Sequence, residues 1–149
     1  MTVIRITKIF SFEMAHALKG YDGNCKSIHG HSYKMHVTVI GKLNQQKGHA
    51  KQGMLMDFSN LKCIINKCII DVYDHALIVN EDSFISDHND KPLFERMMVF
   101  PFQPTCENLA SHFASIIQKY LPEHSSLYSL RLYETDTSFA EWFMSDNIE

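Results

Sequence analysis

The run Ile4-Arg5-Ile6-Thr7-Lys8-Ile9-Phe10-Ser11-Phe12-Glu13-Met14 largely alternates apolar and polar side chains. A period of two fits a strand with one buried face and one open face. The run continues to His16, which shares its parity with Phe10, Phe12 and Met14 and so points to the apolar face. A second strand-like run, His31–Gly41, is headed by His29-Gly30-His31. Residues two apart on a strand point the same way, about 6.5–7 Å apart along it. Gly30 allows close backbone approach and an unusual turn. If the two runs pair antiparallel, three neutral nitrogens from His16, His29 and His31 converge. Three protein nitrogens with an open fourth position are the ligand set of a catalytic zinc, whereas structural zinc sites are closed. Spacing alone leaves a second reading, a cluster of core histidines.

At 149 residues the chain fits one domain, 1–149, able to bury roughly 68–70% of its unfolded surface. Its net charge is −3 and it has no basic stripe, so nucleic acid is not an expected partner. The apolar runs are short and broken by charge, so no membrane span is expected. The N-terminus alternates from Val3 and lacks the pattern of a secretion signal. A reducing cytoplasm with free thiols is therefore the expected setting for Cys25, Cys63, Cys68 and Cys106. Cys68 shares a helical face with Leu61, Ile64, Ile65 and Val72 and reads as core. Cys25 lies in the polar, turn-rich Asp22-Gly23-Asn24-Cys25-Lys26-Ser27, beside Lys26 and the histidines, surroundings that favour a thiolate.

Two segments have helical periodicity. Phe58, Leu61, Ile64, Ile65, Cys68, Ile69 and Val72 recur at three and four residues after Asp57, a suitable N-cap. Leu109, Ala110, Phe113, Ala114, Ile117, Tyr120 and Leu121 do the same, with Thr105 as cap, Glu107 in the first turn and Pro122 as stop. Four segments read as strands: Val3–His16, His31–Gly41, Leu127–Thr135 and Ser138–Met144, the last two joined by a tight hairpin. The order ββααββ predicts an α+β fold, a four-stranded antiparallel sheet with two helices on one face. Its free edges call for oligomerisation. Asn44–Gly53 reads as a polar hairpin tip and Glu81–Pro104 as a long irregular region.

Several segments together resemble the 6-pyruvoyl-tetrahydropterin synthase / 6-carboxy-tetrahydropterin synthase family, over nearly the whole chain. They are Phe12-Glu13-Met14-Ala15-His16, Cys25-Lys26-Ser27-Ile28-His29-Gly30-His31-Ser32-Tyr33, Gly53-Met54-Leu55-Met56-Asp57-Phe58, Asp74-His75-Ala76-Leu77, Pro104-Thr105-Cys106-Glu107-Asn108-Leu109-Ala110 and Tyr133-Glu134-Thr135. The resemblance implies the tunnelling fold, in which trimers close into a barrel with helices outside. Two trimers stack into a hexamer with active sites between subunits. It also implies bound zinc and the substrate 7,8-dihydroneopterin triphosphate. The three residues between Cys25 and His29 are similar to the 6-carboxy-tetrahydropterin synthases of queuosine biosynthesis, which release acetaldehyde and triphosphate. The alternatives are a 6-pyruvoyl-tetrahydropterin synthase, which eliminates triphosphate without cutting the side chain, and a non-catalytic pterin-binding zinc barrel.

The resemblance implies a role for each matched residue. His16, His29 and His31 hold zinc, a Lewis acid toward the side-chain oxygens. Cys25 removes a proton. His75 is the second proton-transfer group, oriented by Asp74. Glu134 grips the donor edge of the pterin, and Thr105 and its neighbours offer backbone N–H groups at a helix start. Each has a plainer alternative: a helix-ending turn for Asp74-His75, an intersubunit ion pair for Glu134, and simple N-capping for Thr105.

Overall fold

The computed structural model describes residues 2–83 and 95–147. In chain order the elements are β1 (Val3–His16), β2 (His29–Lys42), α1 (Phe58–Ile65), a π-helical turn (Asn66–Ile70), α2 (Asp71–Tyr73), β3 (Ala76–Asn80), β4 (Met97–Phe100), α3 (Cys106–Tyr120), β5 (Ser125–Thr135) and β6 (Ser138–Phe143). They form one sheet in the order β4-β3-β1-β2-β5-β6. The long alternating runs make its centre: β1 and β2 pair antiparallel from Val3 opposite Lys42 to His16 opposite His29. The β5–β6 hairpin continues the sheet on the β2 side.

The sheet has six strands, not four, and it is mixed. β3 runs parallel to β1, and β4 parallel to β3. The helical segment Phe58–Tyr73 carries the chain from β2 past β1 to β3, so the connection between the parallel strands β1 and β3 contains both β2 and the helices. Ala76–Asn80 carries no alternation because all five of its residues are buried. β4 falls within the stretch expected to be irregular; residues 84–94 of that stretch lie outside the described residues. The polar segment from Asn44 is a closed loop, pinned where Gly53 N–H donates to the Asn44 carbonyl at 2.7 Å and Asn44 N–H to that of Met54 at 2.9 Å.

Parity decides which sheet face is covered. Phe10, Phe12, Met14, Tyr33, Met35, Val37, Leu130 and Leu132 point inward to meet Leu61, Ile65, Ile69, Leu109, Phe113 and Ile117 from the helices. Asp57 caps α1, its carboxylate accepting from Ser59 N–H at 2.8 Å. The expected helical face needs one correction. The π-helical turn adds a residue to the repeat, so after Ile69 the buried position is Tyr73, while Val72 is exposed. Cys68 is core as expected, and burial pushes its thiol up to about 11.

Tyr73 reaches His112 on α3, oxygen to Nε2 at 2.9 Å, within a ring of Phe100, Phe102 and Phe113. Burial holds the His112 pKa below 6.5, and the Lys119 charge adds to this. The unfolded chain therefore takes up the proton first as pH falls. Stability linked to His112 is full above about pH 6.5 and is lost on acidification toward the folded pKa. Urea titrations at pH 7.5 and 5.5, at one protein concentration, should show a smaller pH-dependent loss in His112→Gln than in the wild type. Equal losses would remove His112 as a source of acid sensitivity.

Candidate metal centre

The β1–β2 pairing converts the sequence pattern into a cluster. His16 stands opposite His29, and His31 opposite Met14, all on the covered face. The three ring centroids lie 4.5, 4.9 and 5.2 Å apart, and one ligand atom from each ring lies within 4.8 Å of the others. His16 is 1% exposed and His31 18%. Gly30 is not needed for close approach. It pairs with Ala15, and a Cβ there would meet nothing nearer than the Met14 carbonyl oxygen at 3.5 Å.

Two backbone carbonyls orient the rings. His16 Nδ1 lies 2.7 Å from the Pro104 carbonyl, and His29 Nδ1 2.8 Å from that of Ser27. A carbonyl can only accept, so both Nδ1 atoms carry protons and both Nε2 atoms present lone pairs. Those two Nε2 atoms face each other at 3.0 Å. His31 Nε2 is buried without a hydrogen-bond partner among the described residues. Converging lone pairs are unfavourable unless a cation stands among them, and outer partners that fix the tautomer are typical of metal-binding histidines. The donor set therefore fits a metal ion. Burial lowers the His16 pKa; the Pro104 hydrogen bond and the Glu134 charge oppose this only in part. A neutral ring is the form that binds metal.

Glu134, near the end of β5, turns its carboxylate toward the cluster. Its Oε1 is 3.4 Å from His16 Nε2 and 3.7 Å from His31 Nε2. Tyr33, two residues beyond His31, is fully buried, and its hydroxyl lies near the Glu134 carboxylate without a well-formed hydrogen bond among the described residues. Burial raises its pKa far above the usual tyrosine range, and Glu134 adds to the shift. It is therefore a neutral phenol beside this carboxylate, a feature that the sequence reading did not single out.

Thr105 caps α3, its hydroxyl accepting from Asn108 N–H at 3.2 Å, while its own N–H donates to the Gln103 carbonyl at 2.8 Å. Capping thus takes one acceptor site of the Thr105 hydroxyl, and the first-turn amides of Cys106 and Glu107 are the backbone donors that follow it. The preceding residue, Pro104, supplies the carbonyl that holds His16, which brings the start of α3 to the cluster.

Cys25 is half-buried on a short 3-10 turn (Asn24–Lys26) in the loop joining His16 to His29. Its carbonyl accepts from Leu18 N–H at 2.9 Å. Asp74 and His75 meet at the edge of β1, with Asp74 Oδ2 3.0 Å from His75 Nδ1. Asp74 Oδ1 accepts from the Glu13 amide at 2.9 Å, and His75 N–H donates to the Glu13 carbonyl at 2.6 Å. That amide hydrogen bond is the main reason the Asp74 pKa lies below the ordinary carboxylate value. His75 has φ +62°, uncommon for a residue with a Cβ, and its side chain is 71% exposed. It lines an open cavity of about 340 Å³ with Glu13, His31 and Ser32. A larger cavity of about 550 Å³, lined by His49, Lys51, Asp57 and His124, involves none of the histidine cluster.

Comparison with known proteins agrees with this architecture. Residues 5–144 match the family model described as 6-pyruvoyl tetrahydropterin synthase. The chain is 40% identical over 144 residues to the 6-carboxy-5,6,7,8-tetrahydropterin synthase of Haemophilus influenzae, covering 94% of this chain and 99% of that one. It is 33% identical over 139 residues to the enzyme of the same name from Synechocystis, covering 93% and 92%. Among solved structures, the Caenorhabditis elegans 6-pyruvoyl tetrahydropterin synthase shares the fold at TM-score 0.69 and 22% identity, with 96% of each chain covered. An uncharacterized Wolinella succinogenes protein shares it at TM-score 0.78 and 21% identity, covering 97% of this chain and 99% of that one. With the family model spanning nearly its whole length, the chain belongs to the 6-pyruvoyl tetrahydropterin synthase family.

Proposed function

We propose that this protein is a zinc-dependent 6-carboxy-5,6,7,8-tetrahydropterin synthase, a lyase acting on 7,8-dihydroneopterin triphosphate in queuosine-type 7-deazapurine biosynthesis. The observation that carries the reading is the trio of histidines, two of them oriented by backbone carbonyls, clustered beside a carboxylate. The 40% identical relative of that name, aligned over nearly the full chain, supports the choice of product. Zinc on His16, His29 and His31 would supply a Lewis acid that polarises the substrate's side-chain oxygens and makes the neighbouring C–H more acidic.

The chain's own residues do the rest. Cys25, on the loop between two ligands, takes a side-chain proton as a thiolate. His75 moves the second proton, its Nδ1 edge held by Asp74 so that Nε2 is the working nitrogen. Glu134 accepts from the pterin's amino and ring N–H groups, a charge-assisted pair. The amides at the start of α3 meet pterin acceptors. Cleavage between the first and second side-chain carbons then gives the ring carboxylate, acetaldehyde and triphosphate, with one water consumed. Incubation with dihydroneopterin triphosphate tests this directly. Acetaldehyde in step with triphosphate is the expected result. Triphosphate with a pyruvoyl product would overturn the carboxy assignment, and no turnover by zinc-loaded protein would overturn the enzyme assignment.

The working assembly in this reading is a hexamer of two trimers, with Asp74-His75 brought to a neighbouring subunit's Cys25. Supporting it, Val99 on β4 and Phe139 on β6 are apolar side chains about half exposed on the two edge strands. Such edges are usually covered or paired. Multi-angle light scattering at micromolar concentration should give about six times the 17.2 kDa chain mass. A stable monomer would contradict the assembly.

A further inference from the structure

The segment joining β4 to α3 is built as a stiff arm. Pro101 and Pro104 restrict its backbone dihedrals. Between them, the Gln103 carbonyl accepts from Thr105 N–H at 2.8 Å and from Asn108 Nδ2 at 2.9 Å, which fixes Gln103 to the start of α3. The next carbonyl along, that of Pro104, orients His16. The Gln103 side chain reaches a different part of the site: its Nε2 donates to the Lys19 carbonyl at 2.6 Å. Lys19 lies in the loop of residues 17–28, which joins β1 to β2 and carries Cys25. Within that loop Leu18 N–H donates to the Cys25 carbonyl at 2.9 Å and Tyr21 N–H to the Leu18 carbonyl at 3.2 Å, with Gly20 at φ +74° completing the turn.

Among the described residues, the hydrogen bonds that tie this loop to segments beyond β1 and β2 both end on Lys19. Gln103 holds its carbonyl, and its ammonium donates to the Asp82 carbonyl. The second contact ends on a long, rotamer-rich side chain and leaves the loop backbone free to shift. The first grips the backbone itself. The path from there to the cysteine is short: the Lys19 carbonyl, the adjoining Leu18 amide, the Cys25 carbonyl. We propose that Gln103 is a positioning residue for Cys25: by gripping the Lys19 backbone it docks the cysteine-bearing loop on the same arm that orients His16. The thiol and a metal ligand then share one frame of reference, set by the start of α3. This inference rests on the role given to Cys25 above and extends it. The plainer alternative is an amide that closes a surface loop without bearing on the thiol.

Two variants separate these. Gln103→Met keeps the side-chain length and removes the donor, and Gln103→Asn keeps the donor one methylene short of the carbonyl. In zinc-loaded protein, iodoacetamide labelling is followed peptide by peptide, with the exposed Cys63 on α1 as internal reference. One net hydrogen bond of ordinary strength carries a factor of about two to ten, so Cys25 in Gln103→Met should be labelled about threefold faster or more. The Cys63 rate and the zinc content should stay at wild-type values. Turnover of dihydroneopterin triphosphate should show kcat lower by about the same factor, with KM changed by less than about twofold, because the groups that hold the substrate are untouched. Gln103→Asn should move both quantities in the same direction, and it decides the matter if Gln103→Met fails to hold zinc. Wild-type labelling of Cys25 in the variants would overturn the proposal. Faster labelling with unchanged kcat would overturn it too, because the tether would then have no bearing on the chemistry. Absence of turnover in the wild type would instead count against the function proposed above, and the labelling rate would still read the tether by itself.

Discussion

Replacing Cys25 with alanine should lower turnover of dihydroneopterin triphosphate by about 10²–10⁴-fold, the range typical of a lost general base, with zinc content unchanged. The side chain is half-buried on a 3-10 turn, and the turn is held through the Cys25 carbonyl, not its sulfur. Truncation therefore removes the thiol while the loop keeps its anchor. His75→Ala should cost a similar factor. Asp74→Asn should cost as much or less, because it disturbs the orientation of the imidazole without removing it. Asp74 also accepts from the Glu13 amide, so thermal melting should accompany this variant to separate misfolding from misorientation. Full zinc content with near-native turnover in Cys25→Ala would show that the proposed proton transfer is wrong.

Replacing His29 with alanine should strip most of the metal. The substitution deletes one of three nitrogen donors and the ring that Ser27 orients. Elemental analysis after dialysis should fall from about one zinc per chain in the wild type to a small fraction of that. A second reading comes from stability. A metal that binds only the folded state raises its free energy of unfolding by about RT ln(1 + [Zn]/Kd). Wild-type melting temperature should therefore rise with added zinc, and that of His29→Ala should not. Metal binding requires neutral imidazoles, so the wild-type gain should fade as pH drops through the histidine range. Unchanged zinc content in His29→Ala would remove His29 from the ligand set.

The histidines were legible in the sequence because strand parity and antiparallel pairing are local rules, and β1 and β2 obey both over fourteen residues each. What orients those histidines was not legible. The Pro104 carbonyl lies 88 residues from His16, and any residue type can present a carbonyl. The third and fourth strands were missed for a related reason. Ala76–Asn80 is buried on both sides and shows no period, and Met97–Phe100 is short and set among prolines. Their parallel pairing with β1 and with each other is a matter of topology, not of their composition. Thr105 was correctly read as a cap, and the structure adds that its own N–H is taken by the Gln103 carbonyl. The position of Glu134 against the histidines depends on how far β5 runs beside β2, a long-range register that no short motif records.

The wide turn at Asn66–Ile70 sets local helical regularity against the alignment of the residues that follow it. Deleting one residue there would replace the wide turn with regular α-helical spacing. It would also rotate all that follows by about 100°. Tyr73 would leave the core, and the two residues after it would no longer meet the Glu13 backbone. The irregular turn therefore behaves as a phase adjuster: a better helix here would come with a misaligned Asp74-His75, and selection for helical stability alone would erase the alignment.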